Sequence, residues 1–232
     1  MKMEFEAFQD NLRQVTEQIE SACVAAGRPT DSVRLLPVTK NHPVDAARLA
    51  YRAGLTAVGE NRVQEALSKM DDADPALEWE LIGPLQSNKA RKVAECFARV
   101  QTVDREKIAH ALDRYAAEAG RTLRVLLQVN AGRDPAKSGV ELEDVDALLE
   151  TVLGCSHLRV EGLMTIAPLS DDVEVARRCF AQLRECRDRL SRDFGASLSE
   201  LSMGMSGDLA EAIREGSTMV RVGTALFGSR GY

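Results

Sequence analysis

The chain has 232 residues, 44 % apolar and 28 % charged, a soluble globular mix that excludes disorder and is long enough to bury a substantial core. A formal net charge of -6 is the wrong sign for neutralising a phosphate backbone, which argues against a nucleic-acid partner. The acidic start Met1-Lys2-Met3-Glu4-Phe5-Glu6 is no secretory signal, and no apolar run is long enough to span a bilayer. Five scattered cysteines (Cys23, Cys96, Cys155, Cys179, Cys186), none in a Cys-x-x-Cys pair, favour a reducing compartment and no thiolate metal site, so a cytoplasmic protein without a membrane partner is expected.

The first element is helical. Phe5, Phe8, Leu12, Val15, Ile19, Cys23 and Ala26 recur at three- and four-residue steps, and Gly27-Arg28-Pro29 ends the run. Short apolar runs follow at 33–39, 56–59, 78–83, 99–103, 123–130, 158–164, 198–203 and 219–222. Helix-like stretches lie between them at 44–52, 62–70, 88–97, 105–118, 142–152, 173–193 and 209–215, and a last short piece, 225–232, closes the chain. This alternation predicts a parallel sheet covered by helices. Runs such as Val125-Leu126-Leu127 are apolar on consecutive residues, as in strands buried on both faces. Eight such strands predict an α/β protein of one domain over 1–232, a (β/α)8 barrel with residues 1–30 as an N-terminal helical extension. A doubly wound open sheet is the rival.

In a barrel, reactive groups gather at the C-terminal ends of the strands. Lys40 stands at the mouth of the first strand. If Leu36 and Val38 point inward, the period of two turns Lys40 inward too, where an ammonium with a lowered pKa makes a Schiff-base lysine. A lysine bending out to solvent fits the same position. After strands seven and eight come Gly204, Ser206, Gly207 and then Gly223, Thr224. Glycine amides and neighbouring hydroxyls at helix starts bind phosphate, although ordinary turns use the same residues. Arg221, two residues before Gly223, either faces that phosphate or holds a carboxylate such as Glu60 in a structural pair.

Other motifs point elsewhere. Ala131-Gly132-Arg133-Asp134-Pro135-Ala136-Lys137-Ser138 ends like a P-loop but has alanine at both required glycines. His42, His110 and His157 lack metal-ligand spacing, so no metal is expected; His110 reads as surface or packing. Arg177, Arg178, Arg184, Arg187, Arg189 and Arg192, interleaved with acids, predict a solvated helix face, with Cys179 and Cys186 packing beneath it.

Several motifs carry a resemblance over the whole length. They are Leu36-Pro37-Val38-Thr39-Lys40, Val58-Gly59-Glu60-Asn61-Arg62-Val63-Gln64-Glu65, Ile82-Gly83-Pro84-Leu85-Gln86-Ser87-Asn88-Lys89, Lys137-Ser138-Gly139, Gly162-Leu163-Met164-Thr165-Ile166, and the stretch from Leu201-Ser202-Met203-Gly204-Met205-Ser206 through Gly216 to Gly228. Together they resemble the pyridoxal-phosphate homeostasis protein family, the bacterial YggS and animal PROSC group. The resemblance implies a barrel like the N-terminal domain of alanine racemase, with pyridoxal 5′-phosphate attached to Lys40 as an imine. It also implies Arg221 near the pyridine nitrogen and Gly223, Thr224 and Ser206 on the phosphate. Asn61 carries over from the Gly-Glu-Asn motif alone. The sequence departs from many members at Asn41-His42-Pro43.

A racemase needs an acid or base on each face of the cofactor. Alanine racemase draws its second base, a tyrosine, from an additional β-domain that pairs across a dimer. Only eight residues follow Thr224 here, and Tyr51, Tyr115 and Tyr232 fall outside the predicted strand mouths. The expectation is therefore a non-catalytic, monomeric carrier that stores, buffers or transfers pyridoxal phosphate, its partners being the cofactor and possibly PLP-dependent apoenzymes. A minimal racemase-like enzyme and a barrel for some other phosphorylated metabolite are the alternatives.

Overall fold

Helix α1 (Phe5–Ala25) buries Phe8, Val15, Ile19 and Cys23, the stripe its spacing predicts. The computed structural model describes residues 3–228, so Tyr232 and the end of the closing segment lie outside the described residues. All eight strands form where the apolar runs place them: β1 (Arg34–Pro37), β2 (Ala57–Glu60), β3 (Glu78–Leu81), β4 (Arg99–Val103), β5 (Leu123–Gln128), β6 (Leu158–Met164), β7 (Glu200–Ser202) and β8 (Met219–Val222). The helices between and after them are α2 (Val44–Arg52), α3 (Val63–Met70), α4 (Ala90–Cys96), α5 (Glu106–Glu118), α6 (Val145–Leu153), α7 (Val173–Phe194), α8 (Leu209–Arg214) and α9 (Thr224–Phe227). The expected helix over 88–97 is split: a 3-10 turn, Ser87–Lys89, precedes α4.

The strands are parallel in the order β1-β8-β7-β6-β5-β4-β3-β2. A doubly wound sheet would reverse its order at a switch point; this one runs round once without reversing. The two ends meet through a parallel bridge, Val38 to Gly59, where the Thr39 N–H donates to the Gly59 carbonyl at 3.1 Å. The architecture is a nearly closed (β/α)8 barrel.

Alternation along the strands separates two interiors. Val58, Trp79, Leu81, Val125, Leu127, Leu201, Val220 and Val222 face the helices in the large core. Leu36, Val38, Ala57, Ile82 and Met219 form a smaller apolar cluster within the barrel. Polar Glu80, Gln101, Ser202 and Arg221 occupy buried positions on the same strands. Helix α1 packs over the β7–β8 side of the molecule. Phe8 stacks on Phe227 with centroids 5.4 Å apart, and Arg28 donates to the Ile213 carbonyl at 2.7 Å.

The arginine-rich face of α7 is only partly solvated, which corrects the sequence expectation. Arg177 Nε donates to Glu215 Oε1 at 2.9 Å and Arg184 pairs with the other oxygen of the same buried carboxylate, tying α7 to the end of α8. Cys179 and Cys186 pack beneath as expected. His110 is exposed on α5. Among the described residues, no helix is long and apolar enough to cross a membrane.

Candidate functional site

The strand ends surround a cavity of about 400 Å³. Lys40, Asn61, Ser206, Arg221, Gly223 and Thr224 all line it, as does Gly207, whereas Gly204 lies outside it with φ 96°, where a Cβ would meet that of Ala212 at 2.5 Å. Arg221 lies in β8 itself, and Lys40, Asn61, Ser206, Gly223 and Thr224 follow β1, β2, β7 and β8, on the barrel face where loops carry chemistry.

Lys40 is half-buried, and the backbone on both sides of it is gripped by one charged cluster. Lys69 Nζ, from α3, donates to the Thr39 carbonyl at 2.9 Å, to Glu60 Oε1 at 2.7 Å and to Glu65 Oε1 at 2.8 Å. Glu65 Oε1 accepts the Asn41 N–H, and Thr39 Oγ1 donates to Glu60 at 2.7 Å. Asn41 takes a left-handed backbone (φ 60°), a conformation that asparagine tolerates better than most residues. His42 then rests against Phe227 at 5.4 Å. The Asn41-His42-Pro43 departure thus forms an ordered turn joining β1 to α3 and α9. Burial raises the Glu60 carboxyl above its ordinary range, against opposing hydrogen bonds from Lys69 and Thr39. Glu60 is committed to Lys69, and the Arg221–Glu60 pair that the sequence left open does not form.

Arg221 is 4 % exposed. Its guanidinium donates to the Ser202 carbonyl and Ser202 Oγ, both at 2.7 Å, and to the Thr165 carbonyl at 2.9 Å. None of these acceptors is a carboxylate. Burial brings the group down to about 10, while Asp208 acts in the opposite direction. The cavity wall therefore carries a cation without a directly bonded counter-charge, and Lys40 and Lys137 line the same space.

The two loops beside Arg221 are shaped by local chemistry. Asp208 Oδ1 accepts the Met205 N–H at 2.6 Å, folding 205–208 into a tight turn that exposes Ser206 and Gly207. At Gly223 a Cβ would sit 3.1 Å from the Val38 carbonyl oxygen, so glycine lets the end of β8 lie against β1. The first helical bonds of α9 are the Leu226 and Phe227 N–H groups to the Gly223 carbonyl, leaving the amides before them outside the helical pattern.

Sequence reasoning missed the segment from Ala136 to Ser138, which also lines the cavity. This loop returns to β5: Val140 bridges Val129, and Gln128 Nε2 donates to the Ser138 carbonyl at 2.9 Å. The failed P-loop pattern concealed it; the Lys137-Ser138-Gly139 motif was the signal that could have found it.

The alanine racemase N-terminal domain model matches residues 4–231. The chain belongs to this family. The homeostasis branch also fits: a protein of Pseudomonas aeruginosa called "Pyridoxal phosphate homeostasis protein" is 46 % identical over 224 residues, 96 % of each chain. Among solved structures, PipY of Synechococcus elongatus, with PLP bound, superposes with a TM-score of 0.85 at 41 % identity, covering 95 % of this chain and all of that one. Alanine racemase of Clostridium difficile shares the fold, with a TM-score of 0.78 at 16 % identity; the match covers 95 % of this chain but 57 % of the racemase.

Proposed function

We propose that this family member binds pyridoxal 5′-phosphate in the barrel mouth and acts as an intracellular store, buffer or donor of the cofactor. The observation that carries the reading is the meeting of an amine, Lys40, and a buried cation, Arg221, in one cavity with the Gly223–Thr224 and Ser206–Gly207 loops. The chemistry of this set fits the group: an amine for an aldehyde, exposed loop amides and hydroxyls for a phosphate dianion, and a cation to face a ring acceptor. The 41 %-identical relative whose structure holds PLP supports the same reading.

Lys40 would carry the cofactor covalently, held by the Lys69–Glu60–Glu65 cluster behind it. Ser206, Gly223 and Thr224 would bind the phosphate, Arg221 would meet the pyridine nitrogen, and Asn61 would border the ring. When bound, the group supplies a reactive aldehyde and an electron-withdrawing ring. Arginine is a donor that resists deprotonation, so it leaves a ring nitrogen unprotonated and its electron sink weak. That suits storage better than carbanion chemistry. Neither Tyr51 nor Tyr115 lines the cavity. The carrier is proposed to be cytoplasmic and monomeric, with PLP-dependent apoenzymes as recipients.

The test is to load the protein with PLP and incubate it with L- and D-alanine in deuterated water. A visible cofactor band without α-proton exchange above a Lys40→Ala control is the expected result. Exchange above that control would establish the racemase-like alternative, and no PLP uptake would leave a barrel for another phosphorylated metabolite.

A further inference from the structure

Barrels of this kind usually fill their interior with layers of branched apolar side chains. Here a run of buried polar groups crosses the barrel instead. Arg221 Nη1, on β8, donates to Ser202 Oγ on β7 at 2.7 Å. Ser202 Oγ donates to Gln101 Oε1 on β4 at 2.6 Å, and Gln101 Nε2 donates to Glu80 Oε2 on β3 at 2.6 Å. Arg34, at the base of β1, closes the run on Glu80 Oε1 at 2.9 Å, and Arg99 on β4 faces Glu80 Oε2 at 3.9 Å. Glu80, Gln101 and Ser202 are fully buried.

The polarity of this run is determined throughout. Arginine can only donate and a carboxylate can only accept, so the serine hydroxyl and the glutamine amide between them each have one consistent orientation. Bonds aligned this way reinforce one another in a low-dielectric interior. The run begins on the cation at the cavity wall and ends on a carboxylate from which the other end of the barrel is anchored. Such an array is costly unless every member is satisfied, and an apolar barrel core would be the simpler filling.

We infer that Glu80, Gln101 and Ser202 are positioning residues for Arg221: through hydrogen bonds of one fixed direction they hold its guanidinium in one orientation at the cavity wall. This rests on the cofactor reading above. The direction in which Arg221 would meet a ring in the cavity is thus fixed from within the barrel.

The experiment uses Ser202→Ala, Gln101→Leu and the double variant. Ser202→Ala removes one oxygen and leaves both carbonyl contacts of Arg221 in place. PLP affinity and the position of the visible band are measured for each, with ¹⁵N spectra of the arginine side chains in the unloaded proteins. Each single variant is expected to weaken PLP about tenfold, to move the band and to shift the Arg221 signals, with the double variant little worse than either. Wild-type affinity and band in both single variants would overturn the inference, as would losses that add in the double variant while the band and the Arg221 signals stay put. Failure of the wild-type protein to take up PLP would instead defeat the cofactor reading; the arginine spectra of the unloaded proteins would still decide whether the run holds Arg221.

Discussion

Replacing Lys69 by methionine removes the centre of the cluster behind Lys40 while keeping most of the side-chain volume. The lysine side chain is 7 % exposed and Glu60 is fully buried. Removing one partner of such a buried pair costs about 3–5 kcal/mol, because the other charge remains without compensation. Glu60 can limit that loss by taking up a proton, at about 1.4 kcal/mol per unit of pKa shift. Its folded-state carboxyl already lies above the ordinary value because of burial, with Lys69 pulling it down and Glu65 pushing it up. Without Lys69 it must rise further. A group whose folded pKa is raised binds more protons folded than unfolded, so stability falls as pH rises through that window. The loss in Lys69→Met is therefore predicted to be smallest at the ordinary carboxylate pKa and to grow as pH rises above it. Urea unfolding of both proteins across that range, followed by far-ultraviolet circular dichroism, measures it. A pH-independent loss, or one below about 1 kcal/mol, would refute the view that Lys69 neutralises a buried carboxylate here.

Two further predictions concern stability and reactivity. A Cβ at Gly83 would lie 2.1 Å from the Asn61 carbonyl oxygen, whereas one at Gly207 would meet nothing within 4 Å. Gly83→Ala should cost about 3 kcal/mol, at the upper end for overpacking, and Gly207→Ala less than about 0.5 kcal/mol, as thermal or urea melts would register. Of the five thiols, Cys96 is exposed and the other four are buried, with burial pushing Cys179 up to about 11. An aromatic disulfide reagent should label Cys96 alone in the folded protein and the rest only on unfolding; rapid labelling of Cys179 would contradict the packing described.

The fold was legible because period and composition speak directly to burial. Consecutive apolar residues such as Leu126 and Leu127 reveal a strand buried on both faces: Leu127 belongs to the core under the helices, while Leu126 lies on the alternate face. That Lys40, Ser206, Arg221, Gly223 and Thr224 share one cavity follows for a related reason, since strand ends in a barrel converge on one face; Asn61 came from the resemblance alone. The Lys69 cluster was not legible. Lys69 sits within a helix where lysine normally means solvent, and only the tertiary fold lays α3 across the Lys40 turn. The apolar spacing over 88–97 does not reveal that Ser87–Lys89 forms a tighter turn before α4 begins. Glu80 and Gln101 did leave a trace: each lies next to core residues of its own strand, Trp79 and Leu81 or Val100, and so on the opposite face.

The most direct test of the account is to incubate the protein with pyridoxal 5′-phosphate, reduce it with borohydride and map the modified peptides by mass spectrometry. A yellow protein that bleaches on reduction and carries its pyridoxyl group on Lys40 is the expected result. A colourless protein, or one labelled on exposed lysines while Lys40 stays unmodified, would contradict it.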